Sequence, residues 1–153
     1  GLFRTRMGSA AASDAVAMLD AAECCDAPQS YRGAPLAIRL ANWTASFKSE
    51  GWSVCPEGFF VHGMYRSSYS ALADVRAIEQ AKCAAPSSHP TQYGGCYDED
   101  VSQVFGGRGW ARCTKPGHYI AGFHRGAEHR LSSVDRLKCC SLSRAEGGRA
   151  DLV

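Results

Sequence analysis

Residues 47–84, FKSEGWSVCPEGFFVHGMYRSSYSALADVRAIEQAKCA, and residues 105–140, FGGRGWARCTKPGHYIAGFHRGAEHRLSSVDRLKCC, are two copies of one pattern. Phe47 and Phe105 each precede a tryptophan, Trp52 or Trp110, by five residues. A cysteine, Cys55 or Cys113, follows each tryptophan by three. Gly58 to Gly63 then matches Gly117 to Gly122, GFFVHG against GHYIAG. The tails agree too: Val75-x-x-Ile78-Glu79-x-Ala81-Lys82-Cys83 aligns with Leu131-x-x-Val134-Asp135-x-Leu137-Lys138-Cys139. Coincidence at fixed spacing over so many positions marks an internal repeat, one supersecondary unit used more than once.

The start of the chain belongs to the same pattern. Gly1-Leu2-Phe3-Arg4 matches Gly63-Met64-Tyr65-Arg66 and Gly122-Phe123-His124-Arg125. Val16-x-x-Leu19-Asp20-x-Ala22-Glu23-Cys24 matches the two tails. The chain therefore divides into the second half of a first repeat (1–28), a second repeat (29–86), a third repeat (87–142) and a tail (143–153) expected to be flexible. One unit is about 55 to 60 residues long.

The segments around Trp-x-x-Cys, Gly58 to Arg66 and Gly117 to Arg125 are short, rich in aromatic and β-branched residues, and bounded by Gly or Pro. They predict strands, with turns at Pro56-Glu57-Gly58 and Lys115-Pro116-Gly117. Alternation along the second strand places Val61 and Gly63 on one face and Phe60, Met64 and Arg66 on the other. The tail is mixed. Val75, Ile78 and Ala81 sit three apart, as in a helix, whereas Asp135, Leu137 and Cys139 alternate, as in a strand. Ala-rich composition favours a helix only in the first copy. Because the three copies should share one structure, the tail is expected to be a strand. The fold class is all-β: disulfide-stapled repeats of short antiparallel strands.

Eight cysteines without a C-x-x-C pair point to disulfides rather than to a zinc site. Sequence alone ordinarily cannot choose among the roughly one hundred pairings, but the copies differ informatively. The third has Cys96, nine residues before Phe105, and Cys140 after Cys139; the second has Ile38 and Ala84 at those two positions. Two cysteines missing together are expected to bond each other. The expected bridges are therefore Cys96–Cys140, with Cys113–Cys139 and Cys55–Cys83 as the shared one. Each closes a loop of about 25 to 45 residues and contributes on the order of 3 to 4 kcal/mol through chain entropy. Cys24 and Cys25 are left over. Either the chain is a fragment or processed product, or another polypeptide supplies the half-unit, or the two bond each other, the last being geometrically strained.

A 45% apolar, 21% charged composition is that of a globular protein. A net charge of +2 without a Lys/Arg run lacks the basic field of a nucleic-acid binder. No stretch has the roughly 18 apolar residues of a membrane span. Asp14 and Asp20 interrupt the N-terminal apolar segment, so it is no signal peptide, and any secretory leader would precede residue 1. Asn42-Trp43-Thr44 is a glycosylation acceptor and agrees with a secretory route. The expected compartment is oxidising: extracellular or an organelle lumen.

The residues Trp110, Cys113, Tyr119-Ile120-Ala121-Gly122-Phe123, Val134-Asp135-Arg136 and Cys139-Cys140 form a pattern that resembles dermatopontin-type extracellular matrix proteins. The match spans about 45 residues of the last copy, without that family's acidic, Tyr-rich character. The threefold logic is also similar to the Cys/His-rich C-terminal domain of a proprotein convertase and to the β-rich C-terminal domain of apicomplexan perforin-like proteins. These resemblances imply β-modules packed about a pseudo-threefold axis, prism-like, used extracellularly to bind proteins, glycans or membranes. None implies catalysis.

Candidate contacts follow. Arg4, Arg66 and Arg125 end the repeated Gly-strand and could fork onto an anion or glycan; pairing with Asp20, Glu79 and Asp135 of their own tails is the preferred reading. Trp52 and Trp110 are expected in the core. Trp43, which the alignment leaves outside the repeat, is the better candidate for an exposed contact. His118, His124, Arg125, His129 and Arg130 cluster in one hairpin and could form a pH-sensitive or anion-facing surface, a solvated loop being the plainer account. No metal-ligand spacing, nucleophile elbow, phosphate loop or dinucleotide fingerprint occurs, so neither metal nor cofactor is expected. The leading expectation is a secreted or lumenal non-catalytic module that binds a protein or glycan. The alternative is a structural subunit or fragment of a larger assembly, its first repeat completed by other polypeptide. An enzyme ranks third.

Overall fold

The computed structural model describes residues 1–4, 19–67 and 75–143. The Ala-rich stretch after Arg4, the side-chain pairing of Arg4 with Asp20, and the tail beyond Ser143 lie outside what it describes. The strands in chain order are β1 (Leu2–Arg4), β2 (Leu19–Ala22), β3 (Leu36–Asn42), β4 (Gly51–Val54), β5 (Phe60–Arg66), β6 (Ile78–Pro86), β7 (Tyr93–Asp100), β8 (Gly109–Ala111), β9 (His118–Arg125) and β10 (Val134–Leu142). A single-turn α-helix, Ser102–Phe105, joins β7 to the segment leading into β8. The fold is all-β with antiparallel pairing throughout.

Each copy centres a sheet on its Gly-strand and its tail. The first sheet has the order β2-β1-β8, the middle sheet β3-β6-β5, and the last sheet β4-β9-β10-β7. The tails are strands, and their mixed periodicity has a simple origin. A 3₁₀ turn, Val75–Ala77 or Leu131–Ser133, leads directly into β6 or β10. Three residues per turn eclipses positions i and i+3, so Val75 sits over Ile78 before the two-residue period of the strand takes over. Two glycines at positive φ, Gly58 at 82° and Gly117 at 70°, make the turns into β5 and β9.

The Trp-strand does not join the sheet of its own copy. β4, from the middle copy, pairs with β9 of the last sheet, and β8, from the last copy, pairs with β1 of the first sheet. The two registers are equivalent. Trp52 lies opposite His124 as Trp110 lies opposite Phe3, and Gly51 lies opposite Arg125 as Gly109 lies opposite Arg4. Disulfides return each exchanged strand to its own copy: Cys55, after β4, bonds Cys83 on β6, and Cys113, after β8, bonds Cys139 on β10. Cys96–Cys140 joins the directly opposed residues of β7 and β10. In the middle sheet Ile38 and Ala84 hold that opposed position. The bridges are the three expected from the copy comparison.

Equivalent residues of the copies fill one core: Phe47 and Phe105, Val75 and Leu131, Ile78 and Val134, Ala81 and Leu137, Cys83 and Cys139. Three expectations need correction. Trp43 is 2% exposed, not a surface contact; its indole Nε1 donates to the Val54 carbonyl at 3.0 Å and its ring stacks on Phe47. It also belongs to the repeat. Trp43 N donates to Glu79 O and accepts, through its own carbonyl, from Phe47 N, as Val101 does with Asp135 and Phe105. Trp52 and Trp110 are not core residues. They face outward, Trp110 being 40% exposed, while the small Ser53 and Ala111 beside them point inward. A bulge between Val61 and Gly63 resets the alternation of β5, so that Val61 and Met64 both pack against the main core.

Glycine at position 122 is required by the exchange. A Cβ there would lie 2.6 Å from the Ser53 carbonyl oxygen and 2.6 Å from Val54 Cγ1. Gly122→Ala should therefore push β4 off β9 and lower unfolding stability by about 1 to 3 kcal/mol. The urea midpoint of the variant against the native chain checks this; an unchanged midpoint would show that the close approach is slack.

Candidate functional site

The open side of the middle sheet is the candidate site. β9 carries a strand on each side, β10 and β4, and β1 carries β2 and β8; among the described strands β5 has only β6. Its outer edge forms one wall of a cleft of about 860 Å³. The beginning of β1, the segment Cys24–Ala27, the residues from Arg112 to Thr114 and His118 and Tyr119 of β9 also line it. Cys24 and Cys25 are unbonded and exposed.

Two aromatic residues line the cleft, Phe60 and Tyr119. Phe60 packs edge-on against Tyr119 at 5.8 Å and, behind it, against Tyr93 at 5.3 Å, in a cluster with Ala121 and Cys140. Tyr93 donates its hydroxyl to Phe59 O at 2.6 Å, and burial, with Glu57 nearby, pushes its phenol up to about 12. Burial, then the neighbouring Cys25, raises the Tyr119 phenol as well. These phenols stay neutral at physiological pH and act as donors.

Beyond the cleft, the middle sheet presents an apolar row. Leu36, Ile38 and Leu40 of β3 are 51%, 43% and 68% exposed, and Tyr65 of β5 is 56% exposed. Leu-x-Ile-x-Leu alternation reads as a core-facing set, but the smaller Ala37 and Ala41 face inward, where Trp43 and Phe59 already occupy the space. The apolar row was thus legible as alternation; which face would meet solvent was not.

The last sheet's outer face is differently built. Trp52, His124 and Arg136 lie side by side across β4, β9 and β10. His124 Nδ1 donates to Asp135 Oδ1 at 2.7 Å and its ring meets Trp52 edge-on at 5.1 Å. Arg136 lies over the Trp52 ring and 3.6 Å from Asp98.

The expected histidine and arginine cluster is therefore dispersed. His118 donates Nδ1–H to the Pro116 carbonyl and lines the cleft. His124 is engaged on the outer face. Arg125 is 2% exposed, so it is no ligand contact; it donates to the carbonyls of Ser49 and Glu128 and to His129 Nδ1. Nor does it pair with Asp135, whose carboxylate serves His124 and Arg136. His129 and Arg130 are exposed at the far end of β9, roughly 20 Å along the strand from His118. Asn42 is exposed at the end of β3, its Oδ1 accepting from Thr44 N. Among the described residues no group of three or more His, Cys, Asp or Glu side chains could hold a metal ion, and no described helix is long and apolar enough to cross a membrane.

No family model, curated protein or solved structure matches the chain.

His89 packs beside Phe60. Its ring lies 5.6 Å from Tyr31 and 6.0 Å from Phe60, and its Nε2 accepts from Ser143 N at 2.9 Å. Burial holds it below the ordinary imidazole value, against a weaker opposing contact with the Gly58 backbone. The unfolded chain, with histidine near 6.5, protonates first, so in that window it binds the extra proton. Stability is then full above about pH 6.5 and falls as the pH drops toward the folded value. Melting temperatures measured from pH 7.5 to 5 should fall, and His89→Gln should flatten the part of the decline that begins near pH 6.5. An equal slope in the variant would assign the decline to other groups.

Proposed function

We propose that the chain is a non-catalytic binding module of an oxidising compartment, extracellular or lumenal, that takes a protein partner on the open side of its middle sheet. The carrying observation is that both edges of this sheet are open among the described strands: β5 on the cleft and, across β6 from it, β3 with its exposed row Leu36, Ile38 and Leu40, of which Leu36 reaches the cleft. An exposed, largely apolar edge is a template for another chain unless it is covered. Three intramolecular disulfides fit the compartment. The exposed acceptor Asn42, at the end of the same strand, supports a secretory route. A glycan is the second reading, favoured by the exposed Trp110 ring on the first sheet.

The test is retention of secretory-pathway proteins on the immobilised chain, run beside a glycan array. The expected result is a retained protein that Ile38→Ser/Leu40→Ser binds at least tenfold more weakly, a change of about 1.4 kcal/mol, at unchanged melting temperature. Array binding lost in Trp110→Ala instead selects the glycan. Silence in both experiments, or retention indifferent to all three substitutions, defeats the reading.

A further inference from the structure

The open edge of β5 is shaped for a particular occupant. In the other two sheets the residue equivalent to Gly63 is overlaid by an exchanged Trp-strand: Gly122 by Ser53 and Val54, and Gly1 by Ala111 and Arg112 at 3.1 to 3.3 Å. Among the described residues a Cβ at Gly63 would meet only Lys82 Cβ, at 3.9 Å. Its φ is not positive, so neither backbone conformation nor a present neighbour requires glycine there. Tyr65, equivalent to the His124 that Trp52 covers, is 56% exposed. The disulfides repeat the omission. Cys24 is equivalent to Cys83 and Cys139, each bonded to the cysteine that follows an exchanged Trp-strand. Cys25 is equivalent to Cys140, bonded to Cys96 on the strand beside it. Both unbonded cysteines and the β5 edge border the same cleft.

We propose that this cleft and its two free edges, those of β5 and β2, are the docking site of one partner polypeptide segment with half-repeat chemistry: a cysteine-bearing strand, then Gly-Trp-x-x-Cys. It rests on the reading of the open side as a protein-binding site and names the partner. The Gly-Trp-x-x-Cys strand pairs antiparallel with β5, its Trp opposite Tyr65, by the register of Trp52 with His124 and Trp110 with Phe3. The cysteine after it bonds Cys24. The earlier strand pairs with β2, and its cysteine bonds Cys25. A second copy of this chain fits poorly, because its own β4 and β8 are already seated in sheets. Each bond forms by loss of one proton from each of two thiols. The two electrons reduce one glutathione disulfide to two glutathione thiols, the disulfide oxidant of such compartments.

The probe is a synthetic peptide of residues 93–116, which carries this chemistry in Cys96, Gly109, Trp110 and Cys113. It is incubated with the whole chain in a glutathione redox buffer. The expected product is a one-to-one adduct in which mass mapping finds peptide Cys113 on Cys24 and peptide Cys96 on Cys25. The Gly63 and Tyr65 amides should gain protection from hydrogen exchange. Gly63→Ala should keep the native urea midpoint yet form the adduct at least tenfold more slowly, because its methyl group fills the space the strand needs. Thiol reactivity alone would not respond to that methyl group. Equal yields from Gly63→Ala or from a scrambled peptide overturn the proposal. So do a Cys24–Cys25 bond with no adduct, a disulfide-linked dimer of the chain, or a Gly63→Ala chain that loses stability with no segment present. If no adduct forms while Ile38→Ser/Leu40→Ser still releases a retained protein, only this inference fails and the binding reading stands.

Discussion

The structure depends on the seating of a strand from one copy against a glycine in the sheet of the next. At Gly122 the backbone of β4 comes so close that no side chain fits between them. This contact converts three small sheets into linked ones. β4 has four residues and β8 three, too few to hold position by backbone bonds alone. The cysteine that follows each strand is therefore anchored in a different sheet from the strand itself. Each such bridge ties two sheets together, contributing on the order of 3 kcal/mol by restricting the unfolded chain. A strand that loosened from its neighbour would remain tethered beside it.

The same exchange decides what each sheet shows to solvent. Where a Trp-strand is seated, its Trp lies across the outer face. In the last sheet it continues into a polar ladder through His124 and Arg136 to Asp98. The far edge of that sheet, β7, ends in Asp98, Glu99 and Asp100, charges that discourage further pairing. The middle sheet has neither device. Its edge strand β3 presents Leu36, Ile38 and Leu40, with one charge, Arg39, drawn inward over Phe59. One sheet is finished with charged and aromatic side chains; the other exposes an apolar edge.

Fixed spacing made the strands, the turns at Gly58 and Gly117, and the three bridges legible in the sequence, because those are local or pairwise properties that a repeat exposes twice. Sheet membership was not legible. Nothing in Gly-Trp-x-x-Cys says whether the strand pairs within its copy or with the next one, since the tight glycine that receives it looks the same in both cases. Trp43 was misread for a related reason. Its counterpart is Val101, so side-chain identity hides an equivalence that the backbone bonds to Glu79 and Asp135 reveal. The Arg125 pairing with Asp135 is not made because recurrence of the two residues in each copy says nothing of the Ser49 and Glu128 carbonyls that accept from the guanidinium. Of the candidate site, the orphan cysteines were visible from the start, but Gly63, Tyr65 and Tyr119 became meaningful only beside their seated equivalents.

Those equivalents also decide between two accounts of the open edge. Had the middle sheet been adapted to stand alone, β5 would be expected to carry a blunting feature: a charge directed inward, a proline or a side chain in place of the glycine. Its sequence, FVHGMYR, has one charge, at its last residue, and keeps the glycine and the aromatic that elsewhere receive a Trp-strand. Gly63 gains nothing from being glycine in an uncovered edge, where the missing side chain weakens the strand. The cost is reasonable only if a backbone passes over it. Two exposed cysteines lining the same cleft supply groups for a covalent anchor. In the proposed docking, the edge, the glycine, the tyrosine and the cysteines act as four parts of one receptor for a strand.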